Sequence, residues 1–479
     1  MSADLDPRRW RALAVCVTAL FMTLLDVSIV NVALPSIGGQ TGAGPAQLQW
    51  VVSGYALAFG MVPIIGGRLG DDRGRKPMLL IGIAAFVVCS TLVGLAPTPE
   101  ILIAGRVLQG LAGGLINPQV AGLVQQLFTQ RERGKAFGVI GTVVGVATAA
   151  GPVVGGGIIA LGGQDFGWRL CFLVNIPVGV ATFVLCQAWV PTSPATGAIR
   201  RLDLPGAALL AAGVFGLLFP AVEYDADHDL RLVLIALPAL VILAGFVAWE
   251  YGPARRRGHP LIDIRLFATR SYADGVALAL LFFCAYTGTP LVLALFLQEG
   301  LGFSPLQSGI TASAYAVGAA ISAPIGGRLI GRLGRQVLVG ALALFTVGVS
   351  GAAVVADRLS GHVAPAGVAL AMAVPLLVAG LGGGSVITPN QALSLAEVDV
   401  RGGSTAGGLL QTSQRLGNAI GAAVISAVFY AAASGAAHLD GPPRQAHYGQ
   451  AYAQSLIVSV GFAAAALILA IRDAYPRRS

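Results

Sequence analysis

The chain has 479 residues, of which 56% are hydrophobic and only 11% charged; its mean hydropathy is +0.78. A soluble globular chain carries about 25% charged residues, so a single water-soluble core is excluded and a polytopic membrane protein is the economical reading. The net charge of +8 falls mainly as arginines in short joints between apolar runs. That distribution fits membrane orientation and anionic headgroups better than nucleic acid.

About twenty apolar residues cross the hydrocarbon core as a helix. In chain order the runs predict fourteen spans: 11–35, 48–67, 78–96, 101–124, 136–160, 169–190, 204–222, 231–249, 272–297, 306–329, 336–356, 364–393, 403–431 and 453–471. The first run lacks an A-x-A-like cleavage site and reads as a retained helix. The run 364–393 contains proline and many glycines, which could hide a break.

The joints support an even number of spans. With a cytoplasmic N-terminus, Arg8, Arg9 and Arg11, the 68–76 joint, Arg131, Arg133 and Lys135, and Arg200 and Arg201 all fall inside. Arg255, Arg256 and Arg257, then Arg328, Arg332 and Arg335, then Arg401 and the tail arginines follow on the same side. The opposite joints are poor in basic residues, and 221–230 is acidic. This is the positive-inside pattern, with both termini cytoplasmic.

The expected organisation is a cytoplasmic N-terminus at 1–10, an N-terminal six-helix bundle at 11–190, two inserted helices at 204–249, and a cytoplasmic linker at 250–271 with room for a short interfacial helix. A C-terminal six-helix bundle at 272–471 and a tail at 472–479 complete it. An internal repeat agrees. IGGRL occurs at 65–69 and at 325–329, and RG at 133–134 and 401–402. Two related bundles around a central path are the usual architecture of secondary transporters.

Catalytic arrangements are missing from the sequence. There is no Walker motif, no H-E-x-x-H and no G-x-S-x-G, and the five histidines are scattered in joints. The five cysteines lack C-x-x-C spacing and read as buried small hydrophobes. No cofactor or metal is expected, and an enzyme is disfavoured. A non-transporting receptor or scaffold is disfavoured too, because the joints are short and the polar residues lie inside spans.

Five stretches resemble one family. LLDVSIVNVALP at 24–35 is similar to its first-helix signature, and GRLGDDRGRK at 67–76 to the signature after helix two. The latter departs at Gly70 and Asp72. RVLQGLAGG at 106–114 resembles the fourth-helix signature, ATAAGPVVGG at 147–156 the fifth-helix antiporter signature, and WRLCFLVNIPVG at 168–179 the start of helix six. By these the chain resembles the fourteen-helix drug:proton antiporters of the major facilitator superfamily. The resemblance implies an all-α major facilitator fold in a bacterial plasma membrane. It also implies a monomer exporting a small organic compound in exchange for protons, with membrane lipid as its only other partner. A metabolite importer or uniporter of the same fold is the alternative.

The candidate residues follow. Asp26 lies mid-span, where a carboxylate is costly unless paired, hydrated or protonated. It reads either as a proton-responsive site or as a hydrogen-bonded packing residue, with Asn31 further along the same helix. Arg106 cannot readily lose its proton. The resemblance gives it a part in proton coupling; a packing or snorkelling arginine is the other reading. Gln109, three residues on, shares its face. Gly151, Pro152, Gly155 and Gly156 form a small-residue stripe for close helix approach. Arg415, with Gln411, Gln414 and Asn418, makes a polar face on span thirteen that reads as a substrate or gating contact or as packing.

Asp71, Gly74 and Arg75 are expected at an inner gate. The resemblance has Asp71 meet a helix N-terminus of the other bundle, here around Arg401 to Thr405. The second copy of the joint carries Gly331 where the first has Asp71, so the gate is expected to be asymmetric. Acids deep in the spans are scarce, and the arginines at 106 and 415 mildly favour a substrate with an acidic or carbonyl group.

Overall fold

The computed structural model describes residues 7–192, 203–227, 233–252, 261 and 264–475. Among them the chain is helical, with one isolated β-bridge between Ser360 and Val363. It divides into two compact units, Met1–Thr269 with Leu395–Thr412, and Arg270–Ser394 with Ser413–Ser479.

The first unit contains α1 (Arg9–Thr41), α2 (Pro45–Met61), α3 (Pro63–Arg73), α4 (Arg75–Gly94) and α5 (Pro99–Leu127). It continues with α6 (Gln130–Leu173), α7 (Asn175–Trp189), α8 (Leu204–Asp227) and α9 (Val233–Tyr251). The second holds α10 (Arg270–Leu295), α11 (Pro305–Leu333), α12 (Gln336–Leu359), α13 (Pro365–Ser394) and α15 (Gly441–Ala474). Helix α14 (Gly403–Ala433) starts in the first unit and runs on into the second.

Local chemistry sets several starts. Pro99 stands at the head of α5, where its missing N–H costs nothing, and Thr98 accepts from the Ile101 amide. Ser304 and Gln307 cap α11 reciprocally, each side chain taking the other's backbone N–H. Pro63 removes a donor and crowds the preceding turn. The predicted span 48–67 is accordingly two segments, Ala46–Met61 and Pro63–Arg73, bent by 45°. Gly163, at φ 72°, interrupts α6 with a conformation that glycine reaches without strain. The run around 364–393 has no break: α13 is continuous through Pro375 and Pro389.

Ten helices among the described residues are long and apolar enough to span a membrane, or eleven with the bent pair counted as one. That is fewer than the fourteen expected. Three further apolar stretches among the described residues, Val153–Gly163, Pro205–Leu217 and Leu237–Tyr251, overlap predicted spans five, seven and eight. The arginines at 200–201, 255–257 and 477–478 lie outside the described residues, as do the side chains of the acidic joint 221–230. The linker contributes a short 3₁₀ turn, Ile264–Ala268.

Exposed aliphatics such as Val88, Leu161, Val241 and Leu370 cover the outside of the helices. In water such a surface would aggregate; in lipid tails it is the required one. Within the first unit, α8 and α9 pack on each other through Gly213 and Gly216, and Trp50 of α2 lies 6.0 Å from Phe219 of α8. The second unit is built on Phe282, Phe345, Met372, Leu376 and Phe429.

Helices α1 and α6 meet at Gly151, where an added Cβ would come within 2.2 Å of Ser28. Gly155 would make only ordinary contact with Ile29, and Gly156 faces open space. Pro152 follows on the same helix, with its side chain outside the described residues. Overpacking a close contact costs typically about 1–3 kcal/mol. Gly151→Val is therefore expected to lower the thermal unfolding midpoint in detergent, and Gly156→Val to leave it nearly unchanged.

Candidate functional site

Asp26 is 1% exposed and Arg106 1% exposed, both inside the first unit. Arg106 donates through Nη1 to Asp26 Oδ2 at 2.5 Å and to Gln109 Oε1 at 2.8 Å, and through Nε to the Val51 carbonyl at 3.0 Å. The other carboxylate oxygen of Asp26 accepts from Gln109 Nε2 at 3.0 Å and from Asn175 Nδ2 at 2.8 Å. Ser90 Oγ accepts from the same two amides at 3.2 and 2.9 Å and donates to the Phe172 carbonyl at 2.9 Å. A hydroxyl has one proton and two lone pairs; all are engaged here. The guanidinium also lies over the Tyr55 ring, 4.3 Å from its centroid, a favourable cation–π arrangement in a desolvated site.

Each member comes from a different place in the chain. Asp26 is on α1, Ser90 on α4, Arg106 and Gln109 one turn apart on α5, Asn175 at the first position of α7, and Tyr55 on α2. Gly110 lets α5 approach α2 closely, since a Cβ there would lie 2.4 Å from the Tyr55 carbonyl.

The sequence reading anticipated Asp26, Arg106 and Gln109 but missed Ser90 and Asn175. The NIP stretch at 175–177 lay inside a recognised signature and was the available signal for Asn175; a serine in an apolar run offered none. Asn31 is not brought to this network. It is exposed on another face of α1, because five residues advance a helix by about 140° past a full turn at 3.6 residues per turn. Arg415 lies half-buried in the second unit, where Asn418 on the same helix accepts from Thr287 Oγ1.

A second polar cluster is built around Asp71. Its Oδ1 accepts from Arg75 Nη2 at 3.0 Å and from the Ser404 amide at 3.1 Å. Its Oδ2 accepts from the Thr405 amide and the Thr405 hydroxyl, both at 2.8 Å. Ser404 and Thr405 open α14, so the carboxylate satisfies N-terminal amides that have no partner within their helix. Arg75 adds bonds to Ser404 Oγ at 3.0 Å, to the Gly122 carbonyl at 2.7 Å and to the Val400 carbonyl. Gly74, at φ 100° and ψ 138°, makes the corner between α3 and α4 that aims Asp71 and Arg75 at one point. Gly67 is needed beside them, because a Cβ there would sit 2.3 Å from the Ser404 carbonyl. Asp72 pairs instead with Arg68 at 3.0 Å along α3.

Apolar-surfaced helices enclosing a buried ion pair define, among the described residues, a polytopic membrane protein. Residues 16–422 match the Major Facilitator Superfamily, and a further match covers 275–479. The chain belongs to that superfamily. It is similar to the probable actinorhodin transporter of Streptomyces coelicolor, 37% identical over 426 residues, covering 88% of this chain and 73% of that protein. The puromycin resistance protein of Streptomyces alboniger is 32% identical over 427 residues, covering 88% and 82%. The tetracenomycin C resistance and export protein of Streptomyces glaucescens is 31% identical over 430 residues, covering 88% and 76%. Among solved structures, the human organic anion transporter MFSD10 aligns with a TM-score of 0.66 at 16% identity over 96% of this chain and 100% of that one. The fucose:proton symporter of E. coli aligns with a TM-score of 0.64 at 12% identity, covering 95% and 98%. At these identities the structures show the fold. The protein is thus a multi-pass membrane transporter of a small organic molecule and not an enzyme.

Removing one partner of a buried ion pair leaves an uncompensated charge and costs about 3–5 kcal/mol. Asp26→Ala should therefore destabilise the protein strongly, and Asp26→Ala combined with Arg106→Leu should recover part of the loss. Unfolding midpoints of the two variants in one detergent check this.

Proposed function

We propose that the protein is a proton-coupled exporter of a small organic compound, working by alternating access in a bacterial plasma membrane. The observation that carries this reading is the buried Asp26–Arg106 pair with its ring of Gln109, Ser90 and Asn175. A carboxylate is the group in that ring able to take up and release a proton. Protonation cancels the charge of Asp26, so the Asp26–Arg106 attraction falls and the Gln109 and Asn175 amides lose an anionic acceptor. Arg106 keeps its charge and is held by the Val51 carbonyl, Gln109 and the Tyr55 ring. Proton binding thereby loosens α1 from α5 and α7, the coupling that antiport requires.

The Asp71–Arg75 cluster serves as the inner gate in this scheme. It fixes the first turn of α14, a helix that continues into the second unit. Breaking the three hydrogen bonds that α14 donates to one carboxylate, then reforming them, gives the gate two discrete states. The proposed topology keeps fourteen spans, with the three short apolar helices completing the ten long ones and the bent pair, and with both termini in the cytoplasm. Export of a drug, antibiotic or toxic metabolite draws support from relatives named for puromycin resistance and for tetracenomycin C resistance and export.

In everted membrane vesicles under an imposed proton gradient, the wild type should accumulate puromycin or a related compound from a screened panel and release protons in exchange. Asp26→Asn and Arg106→Ala should lose coupled transport when compared with the wild type at matched amounts of protein in the membrane; full coupling in both would refute the site. Asp71→Asn should impair transport more than Gly331→Asp, since Gly331 faces open space on α11. Equal and negligible effects would remove Asp71 from the gate.

A further inference from the structure

The second unit contains a small, partly open cavity that the transport reading does not use. It lies at the start of α10, against the last turns of α13 and α15, and has a volume of about 10 Å³, room for one water-sized particle. Ser271, Asp274, Asn390, Ser394 and Asp473 line it with oxygen. Two of the oxygens make no hydrogen bond. Ser271 is 5% exposed, and its Oγ makes no hydrogen bond; Asp274 Oδ2 is buried and makes none either. A buried polar atom without a hydrogen bond is costly; Asp274 Oδ2 has Arg270 Nε 3.5 Å away, so it is Ser271 Oγ, with no partner beside it, that points to an occupant.

The neighbouring groups define its chemistry. Asn390 Nδ2 donates to the Gly275 carbonyl at 3.0 Å, which leaves the amide oxygen as an acceptor. Ser394 Oγ donates to the Asn390 carbonyl at 2.6 Å, which leaves its lone pairs. Gly275 lets α10 and α13 close on each other here, because a Cβ would lie 1.8 Å from Ser394 Oγ. The oxygens are therefore held in place by backbone packing rather than by loops.

Charge then selects the ligand. Asp473 is paired with Arg335. Asp274 faces Arg270 at 3.5 Å, through a guanidinium that is half exposed and so contributes little. The cavity thus presents one carboxylate only weakly offset by an exposed arginine, with the oxygens of Ser271, Asn390 and Ser394 beside it and Leu278, Leu338, Leu393 and Leu469 around them. Oxygen donors suit hard cations. Magnesium keeps several waters, for which there is no room. We infer that the cavity is a binding site for one monovalent cation of the size of sodium, held on Asp274, Ser271, Asn390 and Ser394.

The test uses the purified full-length protein in detergent. Its unfolding midpoint is followed while sodium chloride replaces choline chloride at constant ionic strength. The wild type should show a saturable rise that choline does not give, as expected for a ligand bound by the folded state alone. Ser271→Ala should raise the half-saturating sodium concentration several-fold, and Asp274→Asn should abolish the rise. Asp26→Asn should retain it, which keeps this site separate from the proton-coupling reading. Identical midpoints in sodium and choline for the wild type would mean that the cavity holds only water, and would overturn the proposal. An unaltered sodium response in Ser271→Ala would overturn it as well, even if Asp274→Asn failed to fold.

Discussion

A carboxylate and a guanidinium sit opposite each other at the centre of a bundle whose outer surface is made for lipid. Neither ion is affordable there alone. The cost of removing two charges from water is offset only when geometry is good and the remaining donors and lone pairs are met. Asp26 and Arg106 meet that condition through Gln109, Asn175, Ser90 and the Val51 carbonyl. This requirement ties five helices of the first unit to one point. It also makes the packing of those helices sensitive to the charge state of one residue.

The Asp71 cluster uses the same currency differently. There a carboxylate meets the free amides that any helix start presents, those of Ser404 and Thr405. Such a contact needs no partner charge on α14; Arg75 steadies the carboxylate from its own side. A bond made to backbone amides can be lost to water at modest cost, because the amides and the carboxylate can both be hydrated once apart. The Asp26 network has no such escape while buried. In the proposed function the two clusters take different roles for that reason: one opens, the other responds to a proton.

Packing between helices depends on small residues at particular positions. Gly151 is required against Ser28, and Gly67 against Ser404, whereas Gly156 touches nothing within 4 Å. A stripe of glycines in a sequence therefore overstates the contact it makes. Helix bends follow a similar rule: Pro63 coincides with a 45° bend, yet Pro375 and Pro389 are absorbed within one continuous helix.

Much was legible in the residues alone. Hydropathy at the length of a bilayer identifies membrane helices because an unpaired backbone cannot exist in lipid. An acid or an arginine inside such a run marks itself by its cost, which is how Asp26 and Arg106 stood out; Asp71 stood out by its place in a signature. Ser90 and Asn175 carried no such cost, since a serine or an asparagine in a membrane helix finds partners easily. Asn31 was misleading because it is near Asp26 in sequence but on another face of the helix. Sequence by itself did not determine the number of full-length helices, which is ten or eleven among the described residues where fourteen were expected. It did determine that the chain is built of membrane helices, that it belongs to the superfamily and which charges need partners. Only the tertiary structure decided which partners those are, because hydrogen bonds across helices depend on rotation and depth, and a string of residues specifies neither until the helices pack.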